Sequence, residues 1–226
     1  AGVEQVAARI NSAENGKAIA IKLNVTSRED NAAAVDATLA AFGSLNVALL
    51  NAGINKPKFF MDIDEENWDS IMNVNAKGQL FGMQEAARQM IKQGPEAGPY
   101  QLINVGSILS RVAFDDVIPY SCSKHATLAL ITGGAKALVD HNITVNGYGT
   151  GVVRTELWEQ LDKDLVAIGK VEKEGQSMDS RAENMILMKR YSYPEDVVGT
   201  AGFLASSDSD YMTGQLIMID GGMVMQ

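Results

Sequence analysis

Leu102-Ile103-Asn104-Val105-Gly106-Ser107, followed further along by Tyr120-Ser121-Cys122-Ser123-Lys124, is the stretch whose reading decides the fold. The first piece is a short apolar run that reads as a buried strand ending on a hydroxyl. The second sits in a segment, 119–140, that reads as a helix. On that helix Tyr120 and Lys124 lie one turn apart and share a face. A hydroxyl at the strand end then faces the Tyr/Lys helix. An ammonium beside a phenol favours the phenolate and pulls the tyrosine below its free pKa of about 10. A phenol tuned in this way passes a proton near neutral pH. Y-x-x-x-K is by itself a weak signal, since any helix holding a Tyr and a Lys produces it.

The same alternation extends outward. Helix is expected at 4–10, strand at 17–24, helix at 28–42, strand at 46–51 and helix at 64–92. Strand follows at 100–106, helix at 119–140, strand at 142–147, helix at 194–206 and strand at 214–219. Strands alternating with longer helices require crossover connections and a parallel sheet. Several strands are unbroken apolar runs, as expected when helices cover both sheet faces. The expected fold class is therefore α/β, a doubly wound parallel sheet of Rossmann type, in a single domain over 1–226. Residues 156–192 break the rhythm with a charged, methionine-containing segment. Ligands of doubly wound sheets bind outside the carboxyl ends of the strands. A segment rooted there is expected to cover substrate and exclude water.

Composition excludes several classes. The net charge of −9 opposes non-specific nucleic-acid binding, which draws on basic surface. No apolar run approaches the roughly 20 residues of a membrane span. The single cysteine, Cys122, excludes an internal disulfide and fits a reducing, cytoplasmic setting. It reads as a small buried residue on the Tyr/Lys helix. His125 and His141 lack metal-ligand spacing, so no metal is expected.

Further motifs join the first two in order. Leu45–Gly53 is a strand running into Asn51-Ala52-Gly53. Asn73-Val74-Asn75-Ala76-Lys77-Gly78 lies in a helix-like segment. Asn146–Thr155 and Gly214–Gly222 complete the series. Together they resemble the short-chain dehydrogenase/reductase family along the whole chain. The segments Thr155-Glu156-Leu157-Trp158 and Ile219-Asp220-Gly221-Gly222-Met223-Val224 look most like its acetoin reductase, butanediol dehydrogenase and polyol dehydrogenase branch.

The resemblance implies hydride exchange between a nicotinamide cofactor and a secondary alcohol or ketone, a small diol or polyol. It implies NAD or NADP, with NAD slightly favoured, and a homotetramer or homodimer. Tyr120 would be the general acid/base on the substrate oxygen, and Lys124 would tune it and hold the nicotinamide ribose. Ser107 would stabilise charge on the same oxygen. Asn75 would anchor a water linking Lys124 to solvent, or simply bond a neighbouring strand. Asn51, Ala52 and Gly53 would line the adenosine side, Val74 would pack on the adenine, and Asn24 and Val25 would meet its edge. Asn24 stands where the family often has Asp. Gly151, Val152, Val153 and Thr155 would meet the nicotinamide carboxamide. The family usually has Pro-Gly where this chain has Thr150-Gly151, so this loop is expected to be mobile. Trp158 would form an apolar wall over the substrate, or pack the covering segment onto the body.

One family element has no counterpart. The opening strand and T-G-x-x-x-G-x-G turn, which carry the pyrophosphate onto a helix N-terminus, are missing, and Gly2 and Gly16 stand in the wrong context. The first β-α-β unit is absent, on the order of 30 residues. The residue that selects NAD or NADP goes with it. Two explanations stay open: the sequence is part of a longer molecule, or the molecule lacks the unit. The alternative to an enzyme is a catalytically silent fragment, or an oligomeric binding or scaffold protein derived from one.

Overall fold

The computed structural model describes residues 2–13 and 16–225. Four parallel strands form one sheet in the order β1 (Val47–Leu50), β2 (Tyr100–Ser107), β3 (Ile143–Thr150), β4 (Leu216–Ile219). The helices are α1 (Gly2–Asn11), α2 (Arg28–Phe42), α3 (Glu65–Met72), α4 (Gly78–Gln93), α5 (Ile118–Leu138), α6 (Glu156–Ala167), α7 (Gln176–Asn184) and α8 (Pro194–Leu204). A π-turn, Asn73–Lys77, joins α3 to α4 without a break. The chain thus folds as the doubly wound α/β sheet expected, without its opening strand–helix–strand unit.

Local chemistry sets the helix ends. Ser27 accepts from the Asp30 N–H at 3.1 Å and starts α2. Gly43, at φ 84°, ends that helix in the left-handed conformation that glycine adopts without a Cβ clash. Asp64 accepts from the Asn67 N–H at 2.7 Å and caps α3. Pro194 opens α8, where its missing N–H costs nothing.

Alternate residues of the sheet pack to opposite sides. On one face Leu102 and Val145 meet Met83, Ala87 and Met90 of α4 and Ala135 of α5. On the other, Ile103 and Tyr148 meet Leu204 of α8, with Val105, Val197 and Ala201 around them. β2 is the centre of this core and is buried almost throughout.

The strand expected at 17–24 is not one. These residues run without ladder partners, and Ile19, Ile21 and Leu23 are 42%, 37% and 40% exposed. A strand is defined by its neighbour's hydrogen bonds, and no described strand lies beside this segment. It is held from its ends instead. Asn11 brackets Ala18 through both its amide atoms, and Asp30 accepts from the Asn24 N–H at 2.9 Å. The outer edge of β1 is likewise unpaired among the described residues, and Leu49 is 47% exposed.

Candidate active site

The carboxyl ends of β1, β2 and β3 open into a cavity of about 810 Å3, roofed by α6 and α7. β2 delivers Ser107 as its last residue, and the chain turns there because the Ser107 hydroxyl accepts from the Leu109 N–H at 3.2 Å. The same hydroxyl lies 3.5 Å from the Thr150 carbonyl. α5 begins at Ile118-Pro119 and therefore places Tyr120 in its first turn and Lys124 one turn further in. Ser107, Tyr120 and Lys124 line the same cavity.

Lys124 is 3% exposed and has no carboxylate partner among the described residues; its ammonium donates to the Val105 carbonyl at 2.7 Å. Burial alone pulls it down to about 8. Tyr120 moves the other way from the expectation. Burial pushes the phenol up to about 12, and the Ser107 hydroxyl offsets only part of this. The Lys124 ammonium lies 5.4 Å from the Tyr120 ring centre and points at the backbone, so desolvation outweighs its pull. At neutral pH Tyr120 is a phenol, the form that gives a proton.

Asn75, fully buried in the π-turn, makes three hydrogen bonds to protein through its amide. Its oxygen accepts from the Ile54 N–H at 2.8 Å, and its nitrogen donates to the Ile54 carbonyl at 2.9 Å and Ser123 at 3.1 Å. The side chain thereby pins the Asn51-Ala52-Gly53 turn beside α5. A Cβ on Gly53 would stand 3.9 Å from the Lys124 nitrogen, so this glycine keeps the approach to the ammonium clear. Asn51, Ala52, Gly53 and Val74 line the cavity.

Gly151, Val152, Val153 and Thr155 line the opposite wall. Where a mobile loop was expected, the backbone is anchored. Gly151 N–H bonds the Ile219 carbonyl at 3.1 Å, and Ser192 bonds the Val152 carbonyl through both its N–H and its hydroxyl at 2.9 Å. β4 and the segment before α8 supply the stiffness that proline would have given.

Asn24 and Val25 stay outside the cavity lining. The Asn24 side chain is spent on Thr26, accepting from its N–H at 3.1 Å and its hydroxyl at 2.9 Å. Val25 packs against Gly78 at the start of α4. Trp158 does line the cavity, packed with Leu161 and Leu165 of α6. The sequence reading missed Asn55, Phe114, Asp116 and Arg181, which also line it. The available signal was the acidic pair Asp115-Asp116, set between apolar residues just before the Tyr120 helix.

The residues present suit one end of a dinucleotide. A buried ammonium with a single backbone partner, beside a glycine that leaves it open, fits a sugar hydroxyl pair. No glycine-rich turn at a helix N-terminus is found among the described residues for the phosphates.

This parallel sheet, with Ser, Tyr and Lys gathered at its carboxyl edge, defines an oxidoreductase of the short-chain dehydrogenase/reductase family, and the chain belongs to that family as an NAD(P)-dependent enzyme. Residues 1–224 match the family described as enoyl-(acyl carrier protein) reductase. The chain is 36% identical over 92% of its length to a Staphylococcus epidermidis diacetyl reductase [(S)-acetoin forming], and spans 79% of that protein. It is 35% identical over 94% of its length to the L-2,3-butanediol dehydrogenase of Corynebacterium glutamicum, and spans 80% of it. A short-chain type dehydrogenase/reductase from Mycobacterium marinum superposes with a TM-score of 0.87 at 30% identity, over 99% of this chain and 82% of that one.

Proposed function

We propose that the protein interconverts a small diol or polyol and the corresponding ketone, with Tyr120 as the acid/base. The observation that carries this reading is the convergence of Ser107, Tyr120 and Lys124 on one cavity whose far wall is apolar and aromatic. The names of the similar proteins, a diacetyl reductase and a butanediol dehydrogenase, point to the same substrate size.

When bound, the nicotinamide cofactor supplies or accepts the hydride. The residues of the chain manage the oxygen. Ser107 and Tyr120 donate hydrogen bonds to the carbonyl and stabilise its developing negative charge. The Tyr120 phenol then gives its proton to that oxygen. Lys124, charged below about pH 8, steadies the phenolate left behind. Lys124 also binds the ribose hydroxyls, with Asn51, Ala52, Gly53 and Val74 beside it and Gly151, Val152, Val153 and Thr155 opposite. Asn75 acts through position, holding the Gly53 turn and α5 together. In this reading residues 156–192 form the cover of the substrate, with Trp158 as its aromatic wall.

The test is oxidation of NADH or NADPH in the presence of diacetyl and acetoin, for the parent and for Tyr120→Phe. Turnover in the parent and its collapse in the variant is the expected result. Equal turnover in both would remove Tyr120 from the chemistry. The same assay with the two cofactors decides between NAD and NADP, with NAD expected.

A further inference from the structure

The segment that roofs the cavity is bonded more fully to itself than to the body. Its two roots are tied to each other: the Arg154 N–H donates to the Ser192 carbonyl at 2.9 Å, and the Ser192 N–H to the Val152 carbonyl at 2.9 Å. Asp162 of α6, 3% exposed, accepts from the Gly175 N–H at 2.7 Å and from the Ser177 hydroxyl, which joins α6 to the start of α7. The Gln176 side chain accepts from the Glu172 N–H at 2.8 Å and closes the connection between the two helices. Residues 156–186 therefore form one unit on a single base.

The seam between this unit and the body is built differently. It is apolar, with Leu161 and Leu165 of α6 packed among Ile108, Leu109 and Val117. Among the described residues two polar ties cross it. Lys170 meets both oxygens of Asp115 at 3.1 and 3.0 Å, but the Asp115 side chain is 80% exposed, and a pair so open to water adds little. The other tie is buried. Asp116, 2% exposed, is fixed to the body by the Lys58 N–H, which donates to its carbonyl at 3.0 Å. Its Oδ1 has no hydrogen-bond partner, and its Oδ2 stands 3.7 Å from Nη2 of Arg181 on α7, beyond hydrogen-bond reach.

Taking two charges out of water costs more than their attraction returns unless hydrogen bonds complete the pair. No hydrogen bond joins these two. Lifting the unit would return both ions to water, while the apolar seam pulls it down. Two opposed tendencies thus meet at one place.

We propose that the Asp116–Arg181 pair is an opening device. A charge pair closed into an apolar seam, with no hydrogen bond between its partners, keeps residues 156–186 able to lift as one rigid flap that admits and releases substrate. This rests on the reading of that segment as the cover of the substrate.

The test reads opening directly, as the rate at which a thiol reagent labels Leu165→Cys in a Cys122→Ser background. Leu165 is 1% exposed in the seam, so its replacement reacts only when the flap lifts. Leu102→Cys, in the core of β2, controls for unfolding of the whole molecule. Replacing the pair by apolar groups, Asp116→Leu with Arg181→Met, should slow labelling at Leu165→Cys by at least about tenfold. Arg181→Met alone leaves Asp116 in the seam without its cation and should speed labelling by at least about tenfold. Asp116→Asn with Arg181→Gln, which keeps both side chains polar, should slow labelling by less. Labelling of both double variants at or above the parent rate would show that the pair holds the flap down, and would overturn the proposal. Equal changes at Leu102→Cys would show that the pair acts on the fold as a whole, and would overturn it too. The same variants are assayed for acetoin reduction. If labelling follows the expected order while kcat and KM stay at parent values, the device stands and the segment is not the cover of the substrate. If the kinetics change while labelling does not, the reverse holds.

Discussion

The interior and the β1 edge of this sheet are built to different standards. β2 and β3 have neighbours on both edges and helices on both faces, and Leu102 and Val145 are fully buried. On the β1 side the outer edge pairs with nothing among the described residues, and Leu49, Ile19, Ile21 and Leu23 stand open. Ser107, Tyr120 and Lys124, the residues proposed to handle the substrate oxygen and the ribose, belong to the interior, on β2 and α5. Among the described residues no glycine-rich turn stands at the β1 edge.

The largest test of this contrast is Tyr120→Phe. Loss of the proton donor should cut turnover about 10²–10⁴-fold while NADH binding, followed by fluorescence, is retained. A parallel loss of binding would mean that the two functions are not divided between the interior and the β1 edge.

Lys124→Met should lower both turnover and nicotinamide affinity, since one ammonium serves phenol and ribose. It should at the same time stabilise the fold at pH 7. The folded pKa of about 8 lies below the ordinary 10.5, so the unfolded chain holds the extra proton between those values. Native stability then rises with pH across that window, and the burden of a buried ammonium is complete below it. Methionine removes that burden. Thermal melts at pH 7 should favour the variant, with the gap closing by about pH 10.5; a variant that melts lower at pH 7 would show that the bond to Val105 outweighs the desolvation. Carbonyl reduction by the parent should decline above about pH 8 as Lys124 discharges, because Tyr120 stays protonated up to about 12.

Residues 1–226 alone should bind NADH more weakly than a longer parent chain that carries a glycine turn for the pyrophosphate, in which the Tyr120 and Lys124 variants are best measured. A titration showing equal affinity and turnover for the two would mean that the cofactor docks without such a turn. The finest comparison uses two leucines. Leu102→Ala should cost about 2–5 kcal/mol in denaturant unfolding, and Leu49→Ala under about 0.5 kcal/mol. Equal costs would show that the β1 side is packed after all.

Much of this was legible in the sequence because it is local. The apolar run at 102–106 marked β2, and the spacing of Tyr120 and Lys124 put both on one face of a helix, which the fold turns to one cavity. The misreadings share one cause, dependence on distant partners. Residues 17–24 carry a strand's composition, but pairing is decided by a neighbour. The direction of the Tyr120 shift follows from burial, which no window around Tyr120 reveals. Asp116 and Arg181 meet only because α7 folds over the loop before α5.

The π-turn at Asn73–Lys77 carries one residue more than an α-helical turn needs, and it sets the rotational phase of everything after it. Removing one residue there would let α3 and α4 fuse into an ordinary helix, a change that backbone hydrogen bonding tolerates readily. The same deletion would turn α4 by about 100° relative to α3, so that the Asn75 amide with Ile54 and Ser123, and the buried face of α4 with Met83, Ala87 and Met90, could not both keep their partners. The extra residue is what lets one continuous helical run satisfy a polar anchor and an apolar core at two different rotational settings.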